Sequence, residues 1–361
     1  MRSNIYPLLF SKRIKSTVWG GYRLYGPALH EASQLRESVN RIGEIWNLCE
    51  DTRVIVLNGQ YQMMTLNEVI KSNPSAFFGQ KYFDYYNNIS SFPLLFKVID
   101  AWDKLSIQVH PDDKLAKSLE NAPFGKTEMW YVLDADEKSE IVFGFSQKTD
   151  EKMFKTIIEK NKINDYLNKT HVKKGDVFFI PAGRIHAIGE NILIAEIQQN
   201  CDITYRVYDY MRPGLDGKLR ELHVDKAVKC IDFNDVKPQK ITPVTINKDD
   251  EESSLLASCN YFTTIRYSSK NKIFKYTNNL PVFSVFMNIC DDLILCYKGN
   301  ELDFEKYSTM LVPAGCKEFE LKSKNSGAKI EILNTFLIPN KTDNNDYLAS
   351  IFGPAISEVS F

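Results

Sequence analysis

The chain has 361 residues, of which 43% are hydrophobic and 25% charged, with a formal net charge of -1. That length exceeds one ordinary domain, so two are expected, and the composition is that of a soluble globular protein. Near-neutral charge gives no general attraction to nucleic acid or to an acidic membrane, and neither is expected as a partner.

In chain order, the apolar run Tyr6-Pro7-Leu8-Leu9-Phe10 comes first, followed closely by Lys12 and Arg13. It is too short for a secretory segment, and nothing later reaches the length of a membrane span. Residues 53–57 are β-prone and end at the turn pair Asn58-Gly59. Residues 94–102 and 105–109, separated by Asp103-Lys104, predict a tight hairpin. Further strands are predicted over 128–133, 140–145, 177–181, 192–197 and 204–208, a density that argues for a mainly β sandwich or barrel. Short helices are predicted at 66–73, 112–121 and 219–227. A longer one at 150–168 sets Met153, Phe154, Ile157 and Ile158 on a face packed against the barrel.

Residues 230–254, rich in Asp, Lys, Pro and Asn, read as an interdomain crossover. Strands resume at 262–267, 282–287, 293–297 and 309–312. The last runs into Pro313-Ala314-Gly315, as the earlier strand runs into Pro181-Ala182-Gly183, which suggests a second copy of one barrel motif. The expected division is 1–235 with the active site and 236–361 without a metal site. Seven irregularly spaced cysteines read as free thiols in a reducing, cytoplasmic setting.

Polar residues interrupt the apolar pattern in three places. Gln108 and His110 are two apart in a strand-like segment and so share a face. Glu128 opens another strand, and His186 follows the first Pro-Ala-Gly turn. One histidine on a strand is most often a hydrogen-bonded core or edge residue. Three strands each aiming a ligand inward are far more specific, and a divalent cation held by Gln, His, Glu and His would account for them. Those donors accept zinc, iron, manganese or cobalt.

The series Phe96-Lys97, Ser106 to Asp112, Lys126-Thr127-Glu128, Pro181-Ala182-Gly183 with His186, and Asp202 with Arg206 resembles the type I mannose-6-phosphate isomerases. Val18-Trp19-Gly20-Gly21 and Ile42-Gly43-Glu44-Ile45-Trp46 add to the likeness, which runs from Trp19 to Asp209 and is weaker beyond. It is to the shorter bacterial form, without a large helical domain before the last histidine. The resemblance implies two cupin-like (jelly-roll) barrels and one zinc ion per chain on Gln108, His110, Glu128 and His186. It further implies interconversion of mannose 6-phosphate and fructose 6-phosphate through a cis-enediol, with the sugar phosphate as the small-molecule partner of a monomer or weak homo-oligomer.

By the same resemblance Arg206 is catalytic, its guanidinium stabilising the enediolate; the alternative is a strand arginine paired with Asp202 or Asp209. Lys97, Lys126 and Ser106 are candidates for substrate phosphate or hydroxyls, although a solvated-face reading of each lysine stays open. Glu196 is a further substrate-binding candidate, and it could serve in acid/base work if burial raised its pKa. The general base is unassigned, and His223 reads as surface or capping. Thr127 stands where many relatives have proline, and Ile188 where longer members have tyrosine. Two other readings stay open. A metal-dependent cupin of another chemistry would be expected to carry His-x-His, where this chain has Gln108-x-His110. A non-enzymatic sugar-binding cupin sits poorly with Arg206 beside four ligand types.

Overall fold

A computed structural model describes residues 5–25, 41–87, 92–325, 327–354 and 356, mainly as antiparallel sheet. The chain divides into two compact units: Ile14–Trp46 with Pro93–Ile241, and Met1–Arg13 with Asn47–Phe92 and Thr242–Phe361. This differs from a division at 235, because amino-terminal segments fold into the later unit. Leu8–Leu9 is an edge strand there, with Leu8 opposite Leu311. No helix among the described residues is long and apolar enough to cross a membrane. All seven cysteines are free thiols.

The unit containing residues 93–241 is built on two sheets. One has the order Arg13–Gly21, Ile42–Leu48, Leu94–Ala101, Ile192–Gln199, Glu128–Ala135, Val177–Ile180. The other runs Tyr205–Tyr208, Ile107–Val109, His186–Ile188, Glu140–Phe145, Leu167–His171. Ile99, Trp130, Val132, Phe143, Phe178, Ile180, Ile188 and Ile194 from both sheets meet in one buried cluster. Side chains two apart share a face, so three neighbouring strands carry this core on into polar groups. Ile99 is followed on its face by Lys97, Ile194 by Glu196, and Val132 and Trp130 by Glu128. The register confirms the grouping: Glu196 lies opposite Lys97 on one side and Trp130 on the other, with Gln198 opposite Glu128. The barrel interior is thus apolar along part of its length and charged at one end.

Three local expectations fail here for identifiable reasons. Residues 94–102 and 105–109 form no hairpin, because Leu94–Ala101 pairs with Ile192–Gln199 while Ile107–Val109 joins the other sheet between Tyr205–Tyr208 and His186–Ile188. The helix over 150–168 stops at Glu159; Asn161 is left-handed (φ 56°) and Leu167–His171 turns back as a strand on Glu140–Phe145. Phe154 and Ile157 do pack on the barrel as expected. The helix at 219–227 begins only at Val224, since residues 221 and 223 are committed to contacts described below.

The other unit also has two sheets. Its seven-stranded sheet runs Leu8–Leu9, Thr309–Val312, Ser284–Asn288, Ile330–Phe336, Thr263–Ser269, Glu251–Ser258, Val244–Lys248. Ile273–Thr277, Glu318–Ser323, Leu293–Tyr297 and Asn300–Phe304 form the second. Residues 53–57 contribute isolated bridges rather than a strand. Part of the expected crossover is a hairpin of Val244–Lys248 and Glu251–Ser258, turning at Asp249 (φ 53°). The helix Lys341–Phe352, capped by Asn340, had no counterpart among the predicted elements.

Candidate metal centre and active site

Gln108, Arg206 and His186 lie in a row across the sheet, since Gln108 is opposite His186 on one neighbouring strand and Arg206 on the other. His110 leaves the end of the Gln108 strand, and Glu128 enters from the facing sheet. Donor atoms of His110, Glu128 and His186 all lie within 4.8 Å of one another, and all three residues are buried. His186 Nε2 is 3.3 Å from Glu128 Oε1, and His110 Nε2 is 3.7 Å from the same oxygen.

Each imidazole is oriented from behind. His110 Nδ1 donates to the Ile203 carbonyl at 2.8 Å, and His186 Nδ1 to the Arg184 carbonyl at 2.9 Å. An Nδ1 that donates leaves Nε2 with its lone pair facing the cluster, the arrangement found behind metal-ligating histidines. Burial, with Lys126 adding to it, holds His110 well below the ordinary imidazole range. Burial likewise takes His186 down to about 3, so both rings are neutral at working pH.

Glu128 has no exposure, and among the described residues its Oε1 accepts no hydrogen bond. Lys126 Nζ lies 2.7 Å from Oε2 as an ion pair. Burial pushes this carboxyl up to about 7 despite Lys126, with the Glu196 charge adding to the rise. A desolvated carboxylate whose Oε1 faces two imidazole lone pairs is a donor set that a divalent cation fits. Gln108 reaches the same place, its Nε2 being 3.4 Å from His186 Nε2. Turning the terminal amide by a half-rotation presents Oε1 there instead, an oxygen donor.

The two candidate lysines are not on a solvated face: each is 3% exposed. Lys97 Nζ is 3.3 Å from Glu196 Oε1 and 4.7 Å from the centre of the Trp46 ring. Lys126 Nζ also lies 3.1 Å from His110 Nε2 and 4.0 Å from Glu196 Oε1. Burial alone would raise the pKa of Glu196, but Lys126 and Lys97 outweigh it and hold it below the usual carboxylate range. The condition of a raised pKa is therefore not met, and this carboxylate is ionised at neutral pH. Burial would lower both lysines, and the facing carboxylates reverse that.

Arg206 sits beside the cluster, half-buried. Its Nε donates to Ser106 Oγ at 3.2 Å, and Ser106 Oγ donates to Gln108 Oε1 at 3.4 Å. Neither anticipated aspartate pairs with it. Asp209 takes Arg212 and Arg220, while Asp202 lies 3.6 Å from Lys97 and 3.8 Å from Lys15. Among the described residues the guanidinium forms no ion pair, and burial lowers its pKa.

Sequence reasoning missed Trp130. Its Nε1 donates to Glu196 Oε2 at 3.0 Å, and its ring meets His186 edge-on at 5.4 Å. The signal was present, because Trp130 is two residues from Glu128 and so shares its face. Gln199 was missed too: its Oε1 accepts from the Thr127 backbone at 2.9 Å and steadies the approach to Glu128.

Residues 8–157 match the family described as phosphomannose isomerase type I, catalytic domain. The chain is 35% identical over 319 residues to mannose-6-phosphate isomerase ManA of Bacillus subtilis, covering 88% of this chain and 96% of that one. A mannose-6-phosphate isomerase of Streptococcus mutans is 34% identical over 269 residues, 74% of this chain and 80% of that one. The solved structure of mannose 6-phosphate isomerase from Bacillus subtilis superposes with a TM-score of 0.78 at 27% identity, covering 92% of this chain and 99% of that one. With this extent of likeness over a buried His-Glu-His cluster, the chain belongs to the type I phosphomannose isomerase family.

Proposed function

We propose that this chain interconverts mannose 6-phosphate and fructose 6-phosphate, using one zinc ion per chain held by Gln108, His110, Glu128 and His186. The observation that carries the reading is the neutral imidazole pair facing a buried carboxylate whose Oε1 accepts no hydrogen bond among the described residues, with the Arg206 guanidinium, free of ion pairs among those residues, alongside. Relatives bearing the isomerase name, matched along 88% and 74% of this chain, support it. Zinc is the finer choice, taken from the family resemblance and compatible with two imidazoles and two oxygen donors.

The reaction breaks the C2–H bond of the aldose and delivers a proton to C1 through a cis-enediol, with no net redox change. When bound, the cation supplies Lewis-acid stabilisation to the sugar oxygens. Arg206 keeps its charge at working pH and presents planar donors to the oxygens where negative charge develops. Ser106 orients Arg206 and, with Lys97 and Lys126, offers donors to the substrate's phosphate and hydroxyls. Glu196, ionised between two lysines, holds them in place and can accept from a sugar hydroxyl. The general base is left unassigned. The free thiols agree with a cytoplasmic enzyme, acting as a monomer or weak homo-oligomer.

The deciding experiment measures fructose 6-phosphate formed from mannose 6-phosphate before chelation, after it, and after zinc is restored. Turnover should vanish and return. A metal-replete protein with no turnover would sink the isomerase reading and favour a sugar-binding role.

A further inference from the structure

Among the described residues Tyr205–Tyr208 is the edge strand of its sheet, so one side of its backbone has no strand there to pair with. At Arg206 a single residue closes that side. The Arg206 N–H donates to His223 Nδ1 at 3.2 Å, and the His223 N–H donates to the Arg206 carbonyl at 2.7 Å. The side chain is held by the same segment, because Arg206 Nη1 donates to the Glu221 carbonyl at 2.9 Å. The strand ladder alone would hold Arg206 poorly, since its register with Ile107–Val109 shifts immediately after this residue. The segment is itself tied down, with Arg220 Nη2 2.5 Å from Asp209 Oδ1. The His223 side chain, by contrast, caps nothing on the helix that follows it.

We propose that His223 is a positioning residue for the isomerisation, clamping the Arg206 backbone and aiming its guanidinium at the sugar oxygens. This rests on the isomerase reading above. The demand on residue 223 is an acceptor at the Nδ1 position, one bond beyond Cγ. Asparagine places its carbonyl oxygen there, glutamine places its own one carbon too far, and leucine supplies none. A shift of about 1 Å in a group that contacts the transition state can cost about a hundredfold in rate.

The test compares His223→Leu, His223→Gln and His223→Asn with the wild type, alone and in an Arg206→Ala background. Leucine and glutamine should lower kcat by about tenfold or more, with little change in KM and none in metal content, and asparagine should restore kcat to within about threefold. In the Arg206→Ala background all three should be nearly silent, because the group that His223 positions is gone. A second readout needs no turnover. The NMR signal of the Arg206 Nε–H, identified by its loss in Arg206→Ala, should shift and exchange faster in the leucine and glutamine variants than in asparagine. Equal kcat losses in both backgrounds, or an Arg206 Nε–H unchanged in both leucine and glutamine variants, would overturn the assignment. A wild type without turnover sinks the isomerase reading instead and leaves the NMR comparison to decide the clamp.

Discussion

In one unit the strand Val177–Ile180 runs into Pro181-Ala182-Gly183 and, three residues on, His186. In the other, Thr309–Val312 runs into Pro313-Ala314-Gly315 and then Cys316, Lys317 and Glu318. The interiors diverge in the same sense. In the first unit, sheet faces that begin with Ile99, Ile194 and Val132 end in Lys97, Glu196 and Glu128. In the second, Phe274, Phe286, Phe319, Leu321, Ile330 and Ile332 fill the space. Its polar interior is neutral where Asn334 Nδ2 donates to Tyr276 Oη at 3.2 Å. No histidine occurs after His223. A strand-and-turn scaffold therefore does not dictate a site. Buried charge persists only where counter-charges or a cation compensate it, and the first interior brings those together on adjoining strands.

The largest test of this contrast is His186→Ala, three residues past the first turn's glycine, against Cys316→Ala, the buried residue directly after the second. The first should drop metal content well below one ion per chain and turnover by about a thousandfold, more than the loss of an outer-shell partner typically costs. Cys316→Ala should leave both unchanged. Full metal occupancy in His186→Ala, checked by elemental analysis of the purified protein, would remove His186 from the ligand set. Arg206→Ala should come next, lowering kcat about a hundredfold, or about 3 kcal/mol, with metal content intact. Arg206→Lys should recover little, because an ammonium cannot meet two oxygens in the guanidinium geometry. Near-normal kcat in folded, zinc-loaded Arg206→Ala would leave the first interior's charge stabiliser unidentified.

Most strands of the first unit were legible because their apolar runs were long and bounded by turns, as at Glu128–Ala135 and Ile192–Gln199. Arg13–Gly21 was not, since its burial shows no clean alternation and it mixes charge with small residues. The false hairpin at 94–109 came from reading a short polar link as a turn, when partner choice was set by distant strands. Within the site, the spacing of Gln108 and His110 announced a shared face, and the structure brings Glu128 and His186 to it. The ionisation of Glu196 was not legible. It depends on two ammonium groups, one from the neighbouring strand Leu94–Ala101 and one beside Glu128. Nor was the clamp on Arg206, because residues 219–227 look helical until their backbone is needed elsewhere.

The smallest effects separate the two Pro-Ala-Gly turns themselves. Gly183 has φ +89°, and a Cβ there would stand 2.9 Å from the Cys230 carbonyl oxygen, a backbone atom that cannot move alone. Its N–H also donates to the His110 carbonyl at 3.0 Å, tying the turn to a candidate ligand. Gly183→Ala should therefore cost about 1–2 kcal/mol for the left-handed backbone, with some further loss from the contact. Metal affinity should fall with it. Gly315 is not left-handed, and its added Cβ would meet Ile5 Cδ1 at 2.8 Å, the tip of a side chain that can turn away. Removing a glycine from the unfolded chain returns about 0.4–1 kcal/mol, so Gly315→Ala should be within about 1 kcal/mol of the wild type. Denaturant midpoints and metal content of the two variants check this directly. Equal destabilisation would mean that the shared tripeptide carries the same backbone demand in both units, and that the difference between them begins only after the turn.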